Sequence, residues 1–86
     1  MELKLILGKN IKIYRYKKGY TQEKLAEILD VSTNYIGRLE RGQHNPSLEK
    51  IAKIAKILEV EPYLLFIEND KLDKLAVRVN LTSSNK

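Results

Sequence analysis

One short segment, residues 32–41, concentrates side chains that can read nucleic-acid bases. At 100° per residue of a helix, five of its residues share one face that carries an amide, a hydroxyl and two guanidinium groups but no carboxylate, while Glu40 lies beside the opposite, apolar face. The residues of this face are Thr33, Asn34, Gly37, Arg38 and Arg41. An amide pairs bidentately with adenine and a guanidinium with guanine in the DNA major groove, and Gly37 leaves room for close approach. The pattern favours base recognition over the alternative, an ordinary solvated helix face.

A pair of short helices is predicted to position this face. Thr21 and Ser32 are good N-caps for two helices that a three-residue turn would join, which is the pattern of a helix-turn-helix. Ala26 is small enough to let the two helices cross closely. Apolar residues line the inner sides of the pair, namely Leu25, Leu29, Val31, Ile36 and Leu39.

In residues 1–67, Gly19, Gly42, Pro46 and Pro62 separate segments with helical apolar spacing, and a further break near Asp30 separates the two short helices, which gives five segments. We therefore predict a compact all-α domain of five helices over residues 1–67 and a tail over 68–86. Ser47 is a good N-cap for the fourth helix, in which the residues expected to face inward are Leu48, Ile51, Ala52, Ala55 and Leu58. The tail alternates apolar and other residues from Leu75 to Leu81, which indicates a strand, although Asp70–Leu75 could instead form one or two helical turns.

Composition limits the classes of function. The net charge of the 86 residues is +5, and residues 1–45 hold nine bases against five acids. This balance indicates nucleic acid first and an anionic membrane second as partner, with an ordinary solvated lysine-rich surface as the alternative. The chain has no cysteine and one histidine, so we expect no disulfide, metal site or cofactor. No nucleophile–base set or spaced carboxylate pair is present, and an enzyme is the least favoured class. The longest apolar run is too short to span a bilayer, and no secretory pattern follows Met1, so we expect a cytoplasmic protein.

The stretch from Leu7 to Phe66 resembles the phage-repressor (Cro-type, xenobiotic-response-element) family of helix-turn-helix domains. The residues that carry the resemblance are Tyr20–Glu27, Val31–Ile36, Leu39–Gly42, Pro46–Leu48, Ile51, Ala52, Ala55, Leu58, Val60 and Tyr63–Leu65. Each piece is weak alone, but their joint spacing is specific. The resemblance implies a five-helix domain that binds double-stranded operator DNA, usually as a dimer.

The resemblance also implies roles for single residues. Thr33, Asn34 and Arg38 would read base edges. The residues expected to contact phosphates are Thr21, Gln22, Tyr35, Arg41, Gln43 and Asn45, and His44 lies in the same loop. For Tyr35, half-buried packing is the alternative. Arg15 and Glu40 match a structural ion pair, which agrees with the need of a carboxylate beside the core for a partner. The family usually has glycine where this chain has Asp30, a position that tends to be left-handed.

A second apolar face remains on the first helix, at Leu5, Ile6, Ile13 and Tyr16, and the fourth helix adds Ile54 and Ile57. Such an excess marks an interface, which the tail would cover within one chain or across a homodimer; scattered surface residues are the alternative.

The leading hypothesis is a dimeric, sequence-specific transcriptional regulator. The alternative is an antitoxin that binds its own promoter and contacts a small toxin through the tail. A membrane-surface role for the first helix conflicts with its core face.

Overall fold

The computed structural model of the chain describes residues 2–68, which form four α-helices and a 3₁₀ helix. The elements are α1 (Leu3–Lys17), α2 (Gln22–Leu29), α3 (Thr33–Glu40), α4 (Leu48–Leu58) and a 3₁₀ helix at Pro62–Phe66. Residues 2–68 contain no strand, so the prediction of an all-α fold is confirmed for this part of the chain.

The last predicted helix differs in type, so the expected count of five α-helices is not confirmed. This segment spans five residues and begins at Pro62, and Leu64 N–H donates to the Glu61 carbonyl at 3.0 Å, an i→i+3 bond. So short a segment closes 3₁₀ turns and is too brief to propagate an α-helix. The expectations for the tail, namely its strand or turn, its cover of the apolar face and its toxin contact, fall on residues 69–86, outside the described residues.

Hydroxyl caps start three of the helices, as the sequence predicts. In each case a side-chain oxygen accepts a hydrogen bond from the backbone N–H three residues later, at 3.0–3.1 Å. The capping residues are Thr21, Ser32 and Ser47. Each cap satisfies an N–H that has no partner inside its helix, and so fixes where the helix begins.

The core lies where all five elements meet, but the inward face of α4 differs from the prediction. Ile51, Ile54, Ala55 and Leu58 are buried, and Ile54, expected among the apolar residues in excess of the core, is instead fully enclosed in it. Leu48 is 84% exposed and Ala52 is exposed, so the expectation that both face inward is wrong. Leu48 opens the helix, and helical side chains lean toward the N-terminus, which carries this one past the core. Ala52 lies outside the roughly 100° arc that the four buried residues share.

The crossing of α1 and α3 is close enough to require glycine. A Cβ on Gly8 would lie 2.5 Å from the carbonyl oxygen of Leu39 and 2.6 Å from that of Glu40. Both contacts are with backbone, which cannot rotate away as a flexible side chain can. Gly8 therefore sets how near α1 comes to the carboxyl end of α3.

A buried amide holds the 3₁₀ helix to α1. Asn10 is fully buried, and its Nδ2 donates to the carbonyl oxygens of Leu65 at 2.9 Å and Ile67 at 2.7 Å. Its Oδ1 is also buried and has no hydrogen-bond partner among residues 2–68. These bonds satisfy carbonyls that the short 3₁₀ helix leaves unpaired, and they fasten the end of the described chain to the middle of α1.

The turn between α2 and α3 depends on a left-handed residue. Asp30 has φ 63° and ψ 49°, as expected for its position, and Val31 N–H donates to the Ala26 carbonyl at 3.0 Å. This closing bond and the left-handed residue together end α2 and turn the chain into α3. The geometry of the helix pair thus rests on a residue that carries a modest conformational cost.

Gly8→Ala tests the α1–α3 crossing. We expect it to lower the free energy of unfolding by about 1–3 kcal/mol, because the added methyl group overlaps backbone atoms. Gly37→Ala is the matched control, since its Cβ would meet only the Arg41 guanidinium, at 3.0 Å. The control should be neutral or stabilising by about 0.5–1 kcal/mol, and urea denaturation measures both. Equal effects of the two substitutions would contradict this account of the crossing.

Asp30→Gly tests the turn. Glycine adopts the left-handed conformation without the cost of up to roughly 1 kcal/mol that a side chain adds, while it also raises the entropy of the unfolded chain. The free energy of unfolding in urea should therefore rise slightly or stay unchanged. Asp30→Val should lower it, because a branched side chain tolerates positive φ poorly. A clear loss of stability in the glycine variant would contradict the prediction.

Candidate nucleic-acid interface

The two faces of α3 differ sharply in burial. Ile36 and Leu39 are enclosed in the core, whereas Thr33, Asn34 and Arg38 are exposed. The three residues predicted to read bases therefore share the solvent side of one eight-residue helix. Their hydroxyl, amide and guanidinium groups are accessible to a ligand on that side.

The end of α3 and the following loop bring three predicted DNA contacts together. Arg41 Nε donates to Gln43 Oε1 at 3.2 Å, and Arg38 Nη2 lies 3.5 Å from the Gln43 carbonyl. The space above Gly37, expected to admit a base, is instead bordered by the Arg41 guanidinium, and Gly37 is buried. Asn45 lies exposed farther along the loop. The result is a cationic cluster at one end of the exposed face.

Tyr35 and His44 form an aromatic contact beside this cluster. Their ring centroids are 4.7 Å apart with the ring planes at 67°, an edge-to-face arrangement, and both residues are half-buried. Burial raises the pKa of Tyr35 above its usual value, so its hydroxyl stays protonated at neutral pH and can donate a hydrogen bond. The loop histidine thus packs on a tyrosine that was predicted to contact phosphate.

A buried ion pair lies beneath the interface. Arg15 Nε donates to Glu40 Oε2 at 2.6 Å and Arg15 Nη2 to Glu40 Oε1 at 3.0 Å, with the two side chains only 5% and 3% exposed. The hydrogen bond to Glu40 raises the pKa of Arg15. Arg15 Nη1 also donates to the Tyr20 carbonyl at 2.9 Å. One guanidinium thereby joins α1, the turn before α2 and α3.

Gln22 joins the same network, which the sequence reasoning missed. Its Nε2 donates to Glu40 Oε1 at 3.0 Å, so a residue assigned to phosphate contact is held by the ion pair. The second N–H of the amide remains available to an outside acceptor. Thr21 is exposed, and its hydroxyl accepts the capping bond from Lys24 N–H. The start of α2 thus has two polar side chains fixed by bonds within the protein.

Residues 2–68 contain neither a cluster of His, Asp and Glu that could hold a metal ion nor a helix long and apolar enough to cross a membrane.

Comparison with known proteins identifies the family. A family model described as Helix-turn-helix matches residues 11–65, which is more than half of the chain. The chain belongs to the helix-turn-helix family. The matched range covers α2, α3 and α4 in full and therefore includes every element of the exposed interface.

Among helix-turn-helix relatives, the transcriptional regulator SinR of Bacillus licheniformis is 36% identical over 69 residues, which are 79% of this chain and 62% of SinR. The chain thus spans less than two thirds of that regulator. The crystal structure of a hypothetical transcription factor from Neisseria superposes with a TM-score of 0.79 at 32% identity, and the match covers 86% of this chain and 85% of that one. A structure of the biofilm master regulator SinR in complex with DNA gives a TM-score of 0.66 at 35% identity, over 71% and 98% of the two chains.

Glu40→Gln tests the buried network of this helix-turn-helix domain. The substitution leaves Arg15 buried beside a neutral amide, so we expect the free energy of unfolding to fall by about 3–5 kcal/mol. Thermal or urea unfolding measures the change. Glu59→Gln is the control, because the partner of Glu59 is Lys18 and the carboxylate is largely exposed. The control should leave the unfolding midpoint nearly unchanged; an equally small effect at Glu40 would show that the buried pair is not structural.

Proposed function

We propose that the chain is a sequence-specific DNA-binding transcriptional regulator that acts as a homodimer. The observation that carries the proposal is the exposed, acid-free face of α3, from which Thr33, Asn34 and Arg38 project. Asn34 would pair with adenine and Arg38 with guanine, the pairings that fit the major-groove edges of these bases. Membership of the family and the likeness to a regulator whose structure contains DNA support the proposal.

The length of α3 favours two copies on one operator. Eight residues at 1.5 Å each give a helix of about 12 Å, which faces only three to four base pairs. Two copies related by a two-fold axis would place their α3 helices about 34 Å apart in successive major grooves. The proposed operator is therefore a near-palindrome with half-sites one helical turn apart.

Contacts to phosphate would hold each copy in register. The residues proposed for this role lie at the start of α2, on α3 and in the loop after it, namely Thr21, Gln22, Tyr35, Arg41, Gln43 and Asn45. Backbone N–H groups at the capped start of α2 add donors for the phosphate that Gln22 would contact. Because such contacts release counterions, the affinity should fall steeply with salt concentration.

Arg38→Ala separates base reading from phosphate contact. The operator is first selected from a random oligonucleotide pool at fixed salt, and affinities are then measured for all four bases at each position. Loss of the guanidinium should remove discrimination at one position and weaken binding to the selected operator by about 1–3 kcal/mol.

Arg41→Ala is the comparison variant, and it should weaken binding to every sequence by a similar factor, because a phosphate carries no base information. If Arg38→Ala behaved in the same uniform way, its assignment to a base would be wrong. If the unsubstituted chain selected no sequence from the pool, the proposed function itself would be rejected. Sedimentation of the complex gives the number of copies bound.

A further inference from the structure

The described structure contains a second cationic surface on α1, which we call the α1 strip. Leu5, Lys9, Lys12 and Tyr16 follow the i, i+4, i+7, i+11 spacing of one helix face, and all four are exposed. Leu5 and Tyr16 are 46% and 61% exposed, which is high for large apolar side chains. The sequence of α1 contains five bases and no acid. Nothing in the proposed base-reading or phosphate set uses this surface.

The cations of the α1 strip are not neutralised by the described protein. Among residues 2–68, neither Lys9 nor Lys12 pairs with a carboxylate, whereas Lys18 and Lys24 do. Lys12 Nζ instead lies 5.8 Å from the centre of the Tyr16 ring, and Arg15 Cζ lies 4.6 Å from it. The Tyr16 ring holds the Lys12 ammonium close without cancelling its charge, whereas the charge of Arg15 is paired with Glu40. Such a surface is complementary to a polyanion.

The two ends of the α1 strip adjoin the proposed DNA contacts. At one end Leu5 packs on Gly42, since a Cβ there would lie 2.5 Å from Leu5 Cδ2, and Gln43 follows directly in the chain. At the other end Tyr16 lies over Arg15, which binds the Tyr20 carbonyl and shares Glu40 with Gln22. From residue 5 to residue 16 the strip is about 16 Å long. It therefore runs between the loop after α3 and the start of α2.

We propose that the α1 strip contacts DNA phosphates that flank the half-site read by α3, with Lys9 and Lys12 as the cations. The occupant is the backbone of the same duplex, because the strip is continuous with the proposed interface and complementary to it in charge. The contact carries no base information and would extend the footprint beyond the base pairs that α3 faces. This inference rests on the proposed function.

The test is the salt dependence of binding to the selected operator with about one helical turn, 10 base pairs, of flanking duplex on each side. If both lysines of each copy contact phosphates, the Lys9→Gln/Lys12→Gln variant should lower the slope of log K against log salt by about 1.8 per copy bound. Removing the flanking duplex should lower the slope for the unsubstituted chain and leave the slope for the variant unchanged. The ranking of bases at each position should not change.

The matched control is Lys53→Gln/Lys56→Gln, which removes the same charge at the same i, i+3 spacing from exposed positions of α4. It should leave the slope near that of the unsubstituted chain on both duplexes. An equal loss in both variants would mean that only total charge matters, and no loss in the α1 variant would mean that the strip stays clear of DNA; either result overturns the inference. The proposed function fails separately, by loss of base discrimination in the unsubstituted chain.

Discussion

Arg15 and Glu40 form the interaction on which the arrangement of the interface depends. Two opposite charges are removed from water where α1 meets α3, and such a pair is tolerated only when its geometry satisfies both partners. Here the carboxylate receives three donors, two from Arg15 and one from Gln22, while the guanidinium also binds the Tyr20 carbonyl. Directional bonds of this kind fix angles as well as distances. The start of α2 and the end of α3 are therefore held in a fixed orientation relative to α1.

Close packing completes the restraint that the ion pair begins. Gly8 brings α1 against the last carbonyls of α3, one of them belonging to Glu40 itself. The capped helix starts and the left-handed Asp30 then set where α2 and α3 begin and how the chain turns between them. A face for reading bases needs positions fixed to a fraction of an ångström, and a rigid frame of buried contacts provides them more reliably than exposed loops do.

The sequence predicts much of this because the relevant signals are local. N-caps at Thr21, Ser32 and Ser47 and the division of α3 into two faces depend on neighbours within a few residues, whereas the left-handed conformation at Asp30 was expected from the family resemblance. The sequence did not reveal the hydrogen bonds from Asn10 to backbone carbonyls 54–57 positions away. Nor did it reveal the bond from Gln22 to Glu40, because these residues are 18 positions apart. It also misjudged Leu48, because periodicity does not show how far the core extends along a helix, and Ala52, because the buried arc of α4 is narrower than the apolar face in the sequence. Gly37 was misread because helical spacing places Arg41 one turn away but does not fix the side-chain conformation that brings its guanidinium over Gly37.

The hydrogen bonds of Asn10 fix the side of α1 on which the described chain ends. Successive helical residues are 100° apart, so Asn10 lies about 200° around α1 from Gly8, nearly opposite the side that packs on α3. The Ile67 carbonyl, which accepts a hydrogen bond from Asn10, therefore lies on the side of α1 away from α3. A module or fluorescent tag joined after Glu68 would begin on that side, away from the exposed face of α3.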